Sequence, residues 1–227
     1  MMMVGNVRYD GPGDLPEVIP VFPLPAALLL PRGQMPLNIF EPRYLAMVDA
    51  AIRGDRVIGM VQPRFDDGAV DLDGRPALCK IGCAGRLTAF QESGDGRIMI
   101  TLTGISRFEI VEEIESETPY RQCRIDAGPF ADDFLARHGE AAVDRPTLIA
   151  TFRRYLDANN LEADWPSVER ATNEALVNAL SMMSPYGPAE KQALLEAHDL
   201  GDRARTLIAI TEMALAQSEA GGADRLN

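Results

Sequence analysis

The chain is predicted to be an α+β protein in which a small, strongly coiled β-barrel or pseudo-barrel precedes a helical bundle. Three observations point there. Residues 18–126 carry a series of short segments rich in Val, Ile and Phe with period-two alternation. Glycines sit inside the longer of these segments, where they mark bulges and coiling. After Gly128-Pro129 the apolar period lengthens to that of helices joined by short polar turns. An open sandwich is the alternative arrangement of the strands.

Residues 1–16 contain Gly5, Gly11, Pro12, Gly13 and Pro16 and are expected to form a flexible lead-in. They lack the apolar stretch with basic flanks of a signal peptide. Residues 17–126 form the predicted barrel, 127–145 a linker, 146–220 the bundle and 221–227 a flexible tail. Val18 to Phe22 is the first strand. In Met35 to Phe40, Met35, Leu37 and Ile39 alternate with polar or proline positions, and Pro36 implies an edge or bulge. Glu41-Pro42 opens a helix, with proline near the first turn where its missing N–H costs nothing. Leu45, Val48 and Ile52 make its apolar face, and Arg53-Gly54 closes it.

Arg56 to Gln62 is the next strand and 66–74 a polar loop. Leu78 to Phe90 is a long strand bent at Gly82 and Gly85. Ser93-Gly94-Asp95-Gly96 is a hairpin turn. Arg97 to Thr103 returns with Ile98, Ile100 and Leu102 on one face, Gly104 interrupts, Phe108 to Ile114 continues, and Tyr120 to Ile125 closes the series. In the bundle, Leu148, Ile149, Phe152, Tyr155 and Leu156 share a helix face. A second face runs from Val168 through Leu176 and Leu180 to Met183. Pro188 opens a helix carrying Leu194 and Leu195. Asp199 caps the last helix, whose Ala204, Leu207, Ile208 and Leu215 face inward. Trp165 is expected to staple the start of its helix onto the bundle.

Composition narrows the function classes. The 227 residues carry 22 basic and 34 acidic side chains, a formal net charge of −12. Residues 1–126 hold 13 basic and 18 acidic groups, a net −5, and the remainder 9 and 16, a net −7. Neither part is the basic module that a nucleic-acid binder presents. The strongest apolar run, Ala26 to Leu30, is far short of the ~20 residues that span a bilayer. A cytoplasmic protein is expected, with neither nucleic acid nor membrane as partner. Cys79, Cys83 and Cys123 are an odd set and are expected to be buried, idle thiols.

Catalytic signatures are missing from these residues. There is no G-x-x-x-x-G-K-[ST] phosphate loop, no G-x-S-x-G elbow and no H-E-x-x-H pair. The lysines are Lys80 and Lys191, and Lys191 sits on a helix expected to be solvated, which argues against a Ser-Lys dyad. His138 lies in the linker and His198 at a helix end. Asp66, Asp67, Asp71 and Asp73 share one loop and offer an alternative, a carboxylate enzyme or a divalent-cation site, without matching the twelve-residue calcium loop. No cofactor and no metal are expected.

Several stretches together carry a resemblance. They are Ile19-Pro20-Val21-Phe22-Pro23-Leu24, Pro36-Leu37 with Phe40-Glu41-Pro42-Arg43-Tyr44, and Ile81-Gly82-Cys83-Ala84-Gly85. Asp95-Gly96-Arg97, Gly104-Ile105-Ser106-Arg107-Phe108 and Lys191-Gln192-Ala193-Leu194-Leu195-Glu196 complete the set. In order and spacing the chain resembles the Lon N-terminal substrate-binding domain, in particular stand-alone proteins made of that domain. The resemblance implies a PUA-like β pseudo-barrel followed by a helical bundle, and a part in selecting protein substrates and supporting assembly. A related domain in cereblon serves in a ubiquitin-ligase receptor. Lacking the ATPase and Ser-Lys protease parts, the chain is expected to be a non-catalytic module that recognises unfolded or tagged polypeptides or a protein partner. Weak self-association is compatible with it. An RNA-binding role is the alternative by analogy with PUA-like barrels. The candidate binding residues are Asn38, Phe40, Arg43 and Tyr44, with Met60 and Gln62 on the neighbouring strand. There an extended peptide would add to a strand edge and Arg43 would pair with a carboxylate. The competing role is structural: Phe40 and Tyr44 pin the helix to the barrel and Arg43 satisfies a local acid or carbonyl.

Overall fold

The computed structural model describes residues 2–64 and 75–223. A hairpin, β1 (Met2–Val4) and β2 (Val7–Tyr9), precedes β3 (Val18–Pro23) and β4 (Gln34–Ile39). Helix α1 (Pro42–Arg53) leads to β5 (Val57–Val61), β6 (Ile81–Glu92), β7 (Ile98–Ile114) and β8 (Arg121–Asp126). Two 3-10 segments, Gly128–Phe134 and Glu140–Ala142, connect to α2 (Arg145–Ala158), α3 (Trp165–Arg170), α4 (Asn173–Met183), α5 (Pro188–Glu196) and α6 (Leu200–Ala223). This is the predicted α+β class. Asp66, Asp67, Asp71 and Asp73 lie outside the described residues.

The main sheet runs β4-β7-β6-β5-β3-β8 and curls until β8 pairs with β7. Strand β7 makes this closure possible because it is long enough to have three partners. Its residues 98–103 face β4, 98–109 face β6 and 109–114 face β8. Five strands therefore form the closed barrel, and β4 extends the sheet beyond it. All pairings in this sheet are antiparallel except β3 with β5. The register of β6 against β7 shifts at Ala84/Gly85 and again at Leu87/Ala89, the bulges through which a long strand pair coils. Gly94 and Gly96 take φ of 81° and 85° in the hairpin turn.

Gly104 does not interrupt the sheet as expected; β7 passes through it unbroken. Its role is close approach. Arg32 N donates to Gly104 O at 2.8 Å and Gly104 N to Gly33 O at 2.9 Å. A Cβ at this position would lie 2.1 Å from Leu30 O.

The barrel interior is filled by Ile19, Val21, Val57, Val61, Ala84, Ile105, Phe108, Cys123 and Phe134. Met2, Val4 and Tyr9 join them, so residues 2–9 are not a flexible lead-in. Their alternation puts three apolar side chains on one face of a hairpin, and the barrel gives that face somewhere to go. A second core lies between the sheet, α1 and the bundle, and includes Leu28, Leu30, Met47, Ile58, Leu102, Leu148, Val177, Leu194 and Leu207. Phe134 and Val143 belong to these two cores, so the predicted linker is itself packed.

Helix starts follow their caps. Asp144 Oδ1 accepts from Thr147 N at 3.1 Å, Asp164 Oδ1 from Ser167 N at 3.2 Å and Asp199 Oδ1 from Asp202 N at 2.8 Å. Thr172 Oγ1 accepts from Ala175 N at 3.2 Å, which starts α4 afresh. The single apolar face expected from Val168 to Met183 is thus split between α3 and α4, and Met183 ends 82% exposed. Trp165 is half-buried under Arg153, whose guanidinium lies 4.1 Å from the ring centre. Cys79, Cys83 and Cys123 are buried thiols outside any disulfide, and burial pushes the Cys123 thiol up to about 12 and Cys83 higher still. Among the described residues no helix is long and apolar enough to cross a membrane.

Lys191 departs most from expectation. It is 3% exposed, and its Nζ donates to Ser181 O at 3.0 Å and Met182 O at 2.6 Å. These are last-turn carbonyls of α4, where a cation suits the helix dipole. Burial lowers its pKa to about 8. The polar neighbours Glu190 and Gln192 made the helix look solvated, but Gln192 is buried as well.

Candidate functional site

Beyond the closed barrel the sheet has an open side. Strand β4 pairs with β7 and, among the described residues, with no other strand, so its outer edge carries unpaired backbone groups. Cross-strand rows Pro36–Thr101–Ala89 and Asn38–Met99–Gln91 share one face, because partners in register and residues two apart point the same way. Among the described residues no layer packs on that face. Pro36, Asn38, Ala89, Gln91 and Met99 are exposed, around a shallow cleft of about 390 Å³.

The row Leu37–Ile100–Phe90 points the other way. Ile100 is buried there, while Phe90 is 43% exposed. Phe90 also walls a second cleft, of about 550 Å³, between Leu45, Asp49 and Ile52 of α1 and Arg97 and Ile98 at the hairpin. Phe40, two residues beyond Asn38, is 61% exposed, and Met99 is 52% exposed. Three large apolar side chains thus stand out of one corner of the sheet next to a free strand edge.

The residues predicted for the site divide. Asn38 and Phe40 lie on this corner. Arg43 is exposed, with Nε donating to Glu41 Oε2 at 2.9 Å and its guanidinium 4.5 Å from the Tyr44 ring centre. Tyr44 packs on Phe22 with ring centres 4.1 Å apart, and burial raises its hydroxyl pKa. Arg43 and Tyr44 line a separate cleft of about 180 Å³ with Pro23, Pro25, Tyr120 and Arg121. Met60 and Gln62 are 3% and 1% exposed and do not reach the surface. Strand β5 is central in the sheet and every residue of it is buried. Just past its end, Gln62 acts as a rivet. Its Oε1 accepts from Ala26 N at 2.9 Å, and its Nε2 donates to Pro188 O and Gln192 Oε1, both at 3.0 Å.

Phe90 and Met99 were not among the predicted residues. Met99 had a readable signal: with Ile98, Ile100 and Leu102 facing inward, alternation puts Met99 outside. Phe90 had none, since only the shape of the sheet leaves it half-covered. His198, Asp199 and Asp202 place ligand-type atoms within 4.8 Å of one another. These groups are the capping constellation of α6: Asp199 caps Asp202 N, and Asp202 Oδ1 pairs with Arg205 at 2.5 Å.

The architecture is that of an α+β domain in which a curled sheet closes on itself and leans on an all-α bundle. A family model described as the ATP-dependent protease La (LON) substrate-binding domain matches residues 18–212, and the chain belongs to that family. It is similar in fold to the N terminal domain of Mycobacterium avium complex Lon protease. The TM-score is 0.62 at 20% identity, covering 86% of this chain and 98% of that one. A Lon N-terminal domain protein from Xanthomonas campestris matches at a TM-score of 0.56 and 21% identity, covering 85% and 97%. Among curated relatives, a Lon protease of Syntrophus aciditrophicus is 26% identical over 91% of this chain but only 26% of its own length. Lon protease 2 of Myxococcus xanthus is 32% identical over 50% of this chain and 13% of its own length. The chain therefore corresponds to 26% or less of the length of these relatives.

Proposed function

We propose that this chain is a non-catalytic recognition module that binds extended polypeptide segments, unfolded or tagged, along the outer edge of β4 and the open face beside it. The observation that carries this reading is the free edge of β4 flanked by the exposed side chains of Phe40 and Met99. An extended peptide gains main-chain hydrogen bonds from such an edge, and alternate side chains find apolar contact on the adjoining face. Asn38 supplies a polar contact within the strip. Arg43 stands near its end, where it would exchange Glu41 for a peptide carboxylate. Membership in a family described as substrate-binding supports the same reading. Its place is in the cytoplasm, in association with ATP-dependent proteolysis. It works without cofactor, with neither nucleic acid nor membrane as partner, and weak self-association is compatible with this role.

Fluorescence anisotropy with a labelled, permanently unfolded polypeptide tests the proposal. Phe40→Ser and Met99→Lys should each weaken binding at least tenfold, while Val111→Ser, at an exposed apolar position on the far half of β7, should not. Wild-type protein that fails to bind, or equal affinity in all three variants, would rule the site out.

A further inference from the structure

We propose that the seam between barrel and bundle is a binding site for a small oxyanion, with Arg203 as its principal donor. The seam holds a partly open cavity of about 120 Å³, room for about four waters at ~30 Å³ each. Three guanidinium groups line it: Arg32 from the loop before β4, Arg107 from β7 and Arg203 from α6. Two carboxylates oppose them, and both are fully engaged. Asp133 accepts from Arg107 Nε and Nη2, each at 2.9 Å, and from Arg107 N at 2.9 Å. Glu174 accepts from Arg32 Nε at 2.9 Å and from Arg137 N at 2.9 Å.

Arg203 is the odd charge. It is 4% exposed, its Nε donates to Leu194 O at 2.9 Å and its Nη1 to Asn178 Oδ1 at 3.2 Å. Both partners are neutral. Its Nη2 is buried with no hydrogen-bond partner in the protein. Arg32, Arg107 and Arg203 set against Asp133 and Glu174 leave one positive charge, and Arg203, whose hydrogen-bond acceptors are neutral, carries an unused donor at the wall of the cavity. Burial holds the Arg203 pKa down at about 10, with the nearby charge of Arg107 acting in the same direction and Asp133 and Glu174 opposing it. A water molecule would satisfy the donor but leave the charge uncompensated; an oxyanion does both. Of the remaining acids at this cavity, Asp132 is exposed and Asp199 is committed to capping α6. An ion seated here would touch groups from the sheet and from the helices and so fasten the two together.

Inorganic phosphate and sulfate are the probes, titrated onto the full chain by calorimetry at constant ionic strength kept with a bulky sulfonate salt. One saturable site per chain is expected for either probe. At a hundredfold excess over Kd the melting temperature should rise by roughly 5–10 °C. Arg203→Met should abolish the saturable heat and the melting shift. Arg203→Lys, which keeps the charge and loses the fork, should weaken binding at least tenfold. The wild-type titration needs no variant to fold. Absence of a saturable response in the wild type, or the same response in Arg203→Lys, overturns the proposal.

Discussion

The seam and the open corner of the sheet are built from opposite materials. At the seam, charged side chains are buried and held by several partners each: Arg107 alone donates to Asp133, to Leu195 O at 3.2 Å and to His198 O at 3.4 Å, and also to Ala197 O. At the corner, apolar side chains stand in solvent beside backbone groups without partners. The contrast separates groups that hold the fold together from groups left open to contact. Buried polar groups with saturated hydrogen bonds specify how two halves fit, and their loss is costly because the remaining partner is stranded. Exposed apolar groups beside a free strand edge add little to folding and are available to something else.

The largest expected effect is at the seam. Arg107→Ala leaves Asp133 buried and unpaired and should cost about 3–5 kcal/mol, read as a lower urea midpoint with an unchanged slope. A loss below 1 kcal/mol would mean that the seam is not a stabilising contact. Gln62→Ala comes next. It strands Ala26 N and removes two links to α5, and should cost about 1–3 kcal/mol in the same assay.

Lys191 gives a smaller effect with a definite sign. Its pKa is depressed from 10.5 to about 8 on folding. Between those values the unfolded chain holds the proton that the folded chain releases, so this group makes stability rise with pH across about 8 to 10.5. Urea unfolding at pH 7.5, 8.5 and 9.5 should show a rise of about 1 kcal/mol per pH unit at most. Lys191→Met should flatten it; an equal slope in that variant would locate the titration elsewhere. The smallest effect on folding belongs to the corner. Phe40→Ser should change stability by no more than about 0.5 kcal/mol while removing most of the polypeptide affinity. Should the two fall together, Phe40 is a packing residue and the contrast fails at that point.

Much of the fold was legible along the chain. Alternation located β3 to β8 to within a few residues, Pro42, Pro188 and Asp199 marked helix starts, and Gly94 and Gly96 marked the hairpin. The site was legible only in part. Asn38 and Phe40 fall on the open corner because edge position and alternation are local properties. Met60 and Gln62 are buried, because adjacency along a strand says nothing about what packs over it, and Tyr44, on α1, takes the structural role of packing on Phe22. The same limit hid Lys191, whose polar neighbours give no sign that α4 ends above it. It also hid the hairpin of residues 2–9, where Gly5, with Gly11 and Gly13 just beyond, argues for freedom until a barrel is there to bury Met2, Val4 and Tyr9.

What the residues determined by themselves was the kind of each element and which of its faces is apolar, since backbone sterics and side-chain period act over a few positions. Closure of the sheet through β7, the charge cluster between the halves and the bare corner were decided only in three dimensions. Each depends on groups far apart in the chain: Arg32 meets Glu174 and Arg107 meets Asp133 through a geometry that no local pattern encodes.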